Sequence, residues 1–312
     1  MGGSGGYFES SPSDYIKLIK DMKEKTRDKA FETNVEKLIN NILYDYNERE
    51  KSDSIKQHLD DIKDCIEEEL GEPIELKFGG SFSKHTYIDG LSDIDMLVLI
   101  NKKDLGNPTP KDILEAFKKS LINMRFKDIK DIRTGDIAAT VVFSDGSELQ
   151  LLPAFKIKEG YRIPSSKGNE WSSIINPDKF AKKLTEINQS CWGKVVPVIK
   201  LVKGVNSRLP EPQQLNGYHI ESMAIEIFKS YPESNLRTSK TMLKYFYEKA
   251  KEIVMSPIKD ETGQSRHVDE YLGKESSPAR MRISRSLDII FRRMRDADEI
   301  GDVSRWEQIL DI

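Results

Sequence analysis

Gly79-Gly80-Ser81 is followed, after a short spacer, by Asp93-Ile94-Asp95 and the apolar run Met96 to Ile100. Glycine has no Cβ, so a Gly-Gly-Ser turn opens backbone N–H groups and a hydroxyl to close approach by a phosphate. The Asp-x-Asp pair stands where the apolar run begins, and that run reads as a buried strand. Residues i and i+2 of a strand project to one face, so both carboxylates point the same way. Two carboxylates beside a phosphate cradle form a hard-oxygen site suited to Mg²⁺, with Mn²⁺ as an alternative, and make Asp93 and Asp95 the candidate metal ligands. Gly-Ser pairs and Asp-x-Asp pairs are each common on solvated surfaces. The informative feature is their order: strand, Gly-Gly-Ser, spacer, Asp-x-Asp, strand.

These residues need a sheet to hold them. Ile74 to Phe78 predicts a strand before the turn, and Asp95 to Ile100 a strand after it. Ala138 to Phe143 and Glu148 to Phe155 predict two more around Ser144-Asp145-Gly146-Ser147, a hairpin signal. Apolar spacing predicts a helix over 13–49, where Tyr15, Leu18, Ile19 and Met22 share a face with Phe31, Val35, Leu38, Ile39, Ile42 and Leu43 following. A second helix over 53–70 carries Ile55, Leu59, Ile62 and Ile66, with Gly71 as its stop, and a third opens at Pro110 and ends near Asn123. After Pro164 the pattern turns helical. Trp171 and Pro177 punctuate a loop, 273–278 is another, and Ile283, Leu287, Ile290 and Met294 mark the last long helix. The expected architecture is α+β and bilobed: a small mixed sheet with N-terminal helices over 11–165, and an all-helical lobe over 166–312.

The chain has 312 residues, 32% of them charged and 37% hydrophobic, as expected for one or two soluble globular domains. Its formal net charge of −3 lacks the basic excess of a non-specific duplex binder, so a small nucleotide fits better than a long nucleic acid. The two cysteines, Cys65 and Cys191, form no CxxC or Cys/His cluster and argue against structural zinc. No apolar run reaches the ~18 residues of a membrane-spanning helix. The start, Met1-Gly-Gly-Ser-Gly-Gly, has no signal-peptide core and reads as a flexible tail or a cloning scar, so a cytoplasmic location is expected.

The ordered set resembles the signature of the DNA polymerase β-like nucleotidyltransferases. Further segments narrow the resemblance: Leu149-Gln150-Leu151-Leu152-Pro153-Ala154-Phe155, then Trp171 and Pro177, then Pro197 to Lys203, then Leu215 to Ser222 with its Tyr-x-x-Glu. Together they look like the cGAS/DncV-like nucleotidyltransferases of bacterial anti-phage (CBASS) signalling, relatives of the oligoadenylate synthases. The resemblance implies a polymerase β-like core, an oligoadenylate-synthase-like helical lobe, and synthesis of a cyclic oligonucleotide from NTPs, whose product would act on a CBASS effector. It also implies two Mg²⁺ ions about 3.5–4 Å apart on Asp93 and Asp95. Gly80 and Ser81 would take the phosphates, Lys200 and Lys203 would reach triphosphate oxygens, and Tyr218 would stack on a base.

One position departs from that pattern. An Asp is usual three residues before the Pro-Ala pair, and here it is Gln150. An amide offers an oxygen but neither negative charge nor a base. Glu148, on the same strand face, could supply the missing carboxylate; Asp95 could carry more of the load; or activity could be weakened or lost. The alternatives to a cyclase are therefore a nucleotide-binding regulator with weak or no catalysis, and a terminal transferase acting on RNA or another hydroxyl. The bland readings of neighbouring residues also stand: Lys200 and Lys203 as a solvated face, Tyr218 as a core tyrosine, and His85 and His219 as hydrogen-bonded histidines. The arginines at 280, 282, 285, 292, 293 and 295 are expected to face solvent and pair with Asp288, Asp296, Asp298 and Glu299, with RNA or a partner protein as the alternative.

Overall fold

The structure is a computed structural model that describes residues 12–48, 52–88, 91, 93–101, 108–123, 129–165, 169–263 and 265–310. The first residues of the chain and the side chains of Tyr15, Leu18, Ile19 and Ile55 lie outside the described residues. Two helices lead: α1 (Pro12–Glu48) and α2 (Ser52–Leu70). The sheet segment follows as β1 (Glu75–Phe78), β2 (Ile94–Leu99), α3 (Pro110–Asn123), β3 (Ile129–Thr134), β4 (Ala139–Phe143), β5 (Glu148–Ile157) and β6 (Gly160–Arg162). The remainder is helical: α4 (Pro177–Ser190), α5 (Val195–Ser207), α6 (Gly217–Phe228), α7 (Ser239–Ile253), α8 (Pro278–Ile300) and α9 (Val303–Leu310).

The sheet runs β1-β2-β5-β4-β3, with β6 added to β5. Among the described strands only β2 and β5 pair in parallel, and their register sets Asp95 opposite Gln150. Alternation then decides what each face sees. Ile94, Met96, Val98, Leu149 and Leu151 pack against Ile62 and Ile66 of α2 and Phe117 and Leu121 of α3. Leu97, Leu99 and Ala154 turn the other way, into a smaller cluster with Tyr161, Ile163 and Ile175. Asp95 and Gln150 belong to that second face by period 2. Pro153 is tolerated inside β5 because β4 pairs only as far as Leu151 and β6 only from Phe155. Pro153 also stands opposite Val98 of β2, but the neighbouring Ala154 bonds toward that strand, so the missing N–H of Pro153 points to the unpaired side.

The predicted hairpin forms at 144–147, where Gly146 has φ +86°. Two strands escape the sequence reading. β3, Ile-Lys-Asp-Ile-Arg-Thr, has little apolar character and is mostly exposed at the sheet edge. β6 is three residues long, too short to carry a periodic signal.

The C-terminal helices surround α5, whose Val198, Ile199, Leu201 and Val202 are all buried; a helix apolar on every side belongs in a core. The core includes Met223 and Phe228 of α6, Leu243 and Phe246 of α7, Ile283, Leu287, Ile290 and Met294 of α8, and Trp306 of α9. Phe31, Val35, Ile39 and Ile42 of α1 join it too, so α1 packs against the helical core although it precedes the sheet in sequence. Met22, placed on the same apolar face by its spacing, is exposed. Arg280 corrects the expectation of a solvent-facing arginine row. It is fully buried, paired with Asp269 at 2.6 Å and donating to the carbonyls of Val254 and Gly273. Arg292 and Arg295 do lie outside, beside Asp288 and Asp296. Asp298 pairs instead with Lys240 and Lys244.

Candidate active site

The Gly-Gly-Ser turn and the carboxylates are built into one another. β1 ends at Phe78, and the Gly79 N–H donates to the Asp95 carbonyl at 2.7 Å, which ties the turn to β2. Gly80 has φ +48°, and a Cβ there would stand 1.6 Å from Asp95 Oδ2. Only glycine admits both that backbone shape and that contact. Ser81 begins a 3₁₀ turn over Phe82–Lys84, and its carbonyl accepts from the Thr86 N–H at 3.0 Å. His85 closes the turn with φ 59°, exposed and on no metal-binding cluster among the described residues.

Asp93 is exposed just before β2, and Gln150 Nε2 donates to its Oδ2 at 2.5 Å. Burial and the charge of Glu148 raise the Asp93 pKa, while the Gln150 hydrogen bond opposes them. Asp95 is pushed up to about 6, first by burial, then by Asp93 and Glu221, against the pull of Lys84 and Lys203. Proximity of like charges and desolvation both disfavour a charged pair in the absence of a cation. Glu148 shares the Gln150 face of β5, but Arg133 of β3 stands 3.7 Å from its Oε1. Asp95 on β2, Asp93 just before it, and Gln150 and Glu148 on β5 thus lie side by side.

These groups fit a hard divalent ion. They supply carboxylate and amide oxygens, and both aspartates are held above their ordinary pKa by burial first and then by acidic neighbours, a charge that a cation would neutralise. No group of three His, Cys, Asp or Glu side chains among the described residues is placed to hold a metal ion, so the remaining ligands would come from Gln150, water and substrate.

The helical lobe meets the turn through Glu221, which is 1% exposed on α6. Lys84, three residues after Ser81, reaches its Oε2 at 2.5 Å. Lys203 of α5 donates to Oε1 at 2.8 Å and to the Thr86 carbonyl at 3.0 Å, and the Thr86 hydroxyl donates to the same Oε1. Burial alone would push the Glu221 carboxyl up; the two ammonium groups outweigh it and bring it down to about 2. Burial lowers the Lys203 pKa, and Glu221 opposes that shift. Lys84 also lies 5.1 Å from the ring centroid of Phe180 and 5.5 Å from that of Tyr218.

Lys203 is therefore beside the turn, in contact with Glu221 and Thr86. Lys200 is not: its ammonium donates to Asn47 Oδ1 of α1 at 2.7 Å. Three residues along a helix differ in direction by roughly 60°, enough for the two lysines to meet different neighbours. Tyr218 is half-buried, tilted against Phe180 with centroids 4.8 Å apart, and donates its hydroxyl to Asp260 Oδ1 at 2.7 Å. His219 is fully buried, shares a hydrogen bond with Tyr271 and stands 3.7 Å from Asp269. Lys84, Thr86 and Glu221 escaped the sequence reading as site residues. The signals were present: Lys84 follows Ser81 by one tight turn, and Glu221 follows Tyr218 by three on one helix face.

A family model described as the Second Messenger Oligonucleotide or Dinucleotide Synthetase domain matches residues 30–188. No curated protein matches the chain. Solved structures with the same fold include Bradyrhizobium diazoefficiens CdnG in complex with GTP, 13% identical, with a TM-score of 0.62, covering 82% of this chain and 90% of that one. Vibrio cholerae DncV, a cyclic AMP-GMP synthase in complex with a linear intermediate, is 10% identical with a TM-score of 0.60 over 97% and 90% of the two chains. CdnC from E. coli MS115-1, with ATP, is 13% identical with a TM-score of 0.57 over 83% and 92%.

Proposed function

Because the chain belongs to the family of second messenger oligonucleotide or dinucleotide synthetase domains, we propose that it condenses NTPs into a cyclic oligonucleotide of CBASS signalling at the Gly80-Asp95 site. The observation that carries this reading is the interlock of cradle and acid: Gly80 is held so closely on the Asp95 carboxylate that no other residue fits between them.

In each nucleotidyl transfer a ribose hydroxyl attacks the α-phosphorus, the bond to pyrophosphate breaks, and the hydroxyl proton passes to solvent water. The turn at Gly80-Ser81 offers its N–H groups and hydroxyl to the triphosphate. Asp93, oriented by the Gln150 amide, is the exposed carboxylate placed to accept a hydrogen bond from the attacking hydroxyl. Asp95 keeps its charge beside the leaving group, with Lys84 and Lys203 near enough to favour its ionised form. Mg²⁺ or Mn²⁺ on Asp93 and Asp95, when bound, would neutralise the triphosphate and make the hydroxyl more acidic. Tyr218, whose ring adjoins Lys84 of the phosphate turn, supplies a π-face for a nucleobase, a contact that tolerates every base. The sheet with α2 and α3 then forms the transferase core, α1 with α4 to α9 forms the lobe that closes the nucleotide site, and any CBASS effector would be reached through the product.

Incubating the protein with four radiolabelled NTPs and Mg²⁺ or Mn²⁺ should yield a phosphatase-resistant product. Asp93→Asn with Asp95→Asn should lower its formation at least about 10²-fold, the scale of electrostatic contributions in such sites. Product formation at the wild-type rate in that double variant would refute the site. Phosphatase-sensitive linear products would favour a terminal transferase.

A further inference from the structure

Asp260 lies on the connection between α7 and α8, 5% exposed, and gathers donors from two parts of the helical lobe. Its Oδ1 accepts from the Thr262 N–H at 2.8 Å, the Thr262 hydroxyl at 2.6 Å and the Tyr218 hydroxyl at 2.7 Å. Its Oδ2 accepts from the Ser265 N–H at 2.9 Å and the Ser265 hydroxyl at 2.8 Å. Four of these donors belong to its own turn. The fifth comes from α6, and it belongs to the ring that adjoins Lys84.

The turn is itself fixed against the start of α4. The Thr262 carbonyl accepts from the Asn176 N–H at 2.9 Å, and Glu261 lies 3.3 Å from Lys183. Asn176 in turn caps α4 by accepting from the Lys179 N–H. Phe180, on that helix, is the ring against which Tyr218 tilts. Tyr218 is thus held at its tip by a carboxylate and on one side by an aromatic ring, and both restraints trace to the same junction.

A core tyrosine needs one hydrogen-bond partner for its hydroxyl, and water or a carbonyl would serve. A carboxylate already satisfied by four local donors is a stiffer anchor, because its position does not depend on the tyrosine. We propose that Asp260 is a positioning residue for the nucleobase: it fixes the Tyr218 ring beside the Lys84 edge of the site, so that the base is received by a pre-set ring. This rests on the reading of Tyr218 as a base-stacking side chain. Stacking on a fixed ring avoids the cost of ordering that ring when the nucleotide arrives.

The test measures binding of non-hydrolysable ATP and GTP analogues, and of inorganic tripolyphosphate, by calorimetry, together with steady-state kinetics on the full chain. Tyr218→Phe keeps the ring and removes the tether, and Asp260 retains its four local donors. It should weaken both analogues by about 3- to 10-fold, part of the full value of base–aromatic stacking, and leave tripolyphosphate binding unchanged. KM should rise with kcat nearly constant, because stacking holds ground state and transition state alike. Asp260→Asn should weaken the analogues similarly in the wild-type background and add nothing in the Tyr218→Phe background, since coupled residues are non-additive. Asp260→Glu should restore part of the affinity. Wild-type binding of both analogues that persists unchanged in Tyr218→Phe would overturn the inference alone. Additive losses in the double variant, or a fall in kcat with KM unchanged, would also overturn it, by assigning Asp260 to the stability of its turn. Wild-type protein that binds neither analogue would overturn the nucleotide site itself.

Discussion

At the scale of single residues, the site turns on one glycine and one amide. Gly80 has no room for a methyl group: the Asp95 carboxylate occupies the space, and the backbone is left-handed. Gly80→Ala should therefore abolish product formation while circular dichroism and melting show a folded protein, since the Cβ displaces Asp95 and not the core. Turnover in Gly80→Ala near the wild-type rate would show that the close contact is not needed. Gln150 faces Asp95 across the parallel ladder and donates to Asp93. Gln150→Asp replaces that donor with a charge of the same sign as its neighbours. It should lower the Mg²⁺ concentration for half-maximal activity and raise the rate, because a carboxylate binds the ion better than an amide. An unchanged or lower rate at saturating Mg²⁺ would mean that the site is built around the amide. Glu148→Gln should have a smaller effect than Asp93→Asn, given that Arg133 already stands beside Glu148.

Between elements, the notable contact is the carboxylate of α6 that faces the 3₁₀ turn and α5 at once. Glu221 is buried with Lys84, Lys203 and Thr86 as its partners. Removing one member leaves the others uncompensated in a dry setting, so Glu221→Ala should cost about 3–5 kcal/mol of stability, measured by urea unfolding. Lys84→Met should cost less, because Lys203 and Thr86 remain on the carboxylate. If Glu221→Ala unfolds at the wild-type urea midpoint, the cluster contributes nothing net. Lys77 of β1 makes a second cross-lobe contact. It donates to Tyr161 of β6 and to Asp178 at the start of α4, each at 2.7 Å. The sheet is thereby joined to the helical lobe at two separate points.

Over the whole molecule, acid should act in two stages. His219 is buried with its pKa lowered to about 4, by burial first, with Asp269 opposing and Arg280 adding to the fall. The unfolded chain binds this proton near pH 6.5 and the folded chain only near 4. Its contribution is thus fully present above about 6.5 and is lost as pH falls toward 4, a span of roughly 3 kcal/mol. Glu221, lowered to about 2, contributes stability above its unfolded pKa and loses it as pH falls from about 4.5 toward 2. Asp95, pushed up to about 6, gains stability as pH falls from about 6 toward 3.8 and offsets His219 there. A pH series of urea midpoints should therefore change little between about 6.5 and 4.5 and decline below that, and His219→Gln should make the midpoint rise as pH falls through the upper window. An identical slope in that variant would show that another group titrates there.

The sequence by itself determined the parts governed by short-range geometry. The order of turn, acids and apolar strand brought Gly80, Ser81, Asp93 and Asp95 together, because a period of two and a missing Cβ act within a few residues. It also placed Gln150, since the run ending in Pro153-Ala154-Phe155 had to pair as a strand, and the helices α1, α2, α3 and α8, since their apolar spacing is local. Weakly patterned elements were illegible: β3 has few apolar residues, and β6 is too short for a period. Tertiary structure alone decided which partners meet. Arg280 looked like its neighbours in a basic row, yet the packing of α8 on α7 buried it against Asp269. Lys200 and Lys203 looked equivalent, yet one meets α1 and the other meets Thr86, just after the Gly-Gly-Ser turn. Glu221 shows the limit most plainly. Its partners come from the 3₁₀ turn and from α5, and Lys84 lies more than a hundred residues away. A charge pairs across such a distance only after independent cores have fixed both backbones, and no local pattern in the chain encodes that meeting.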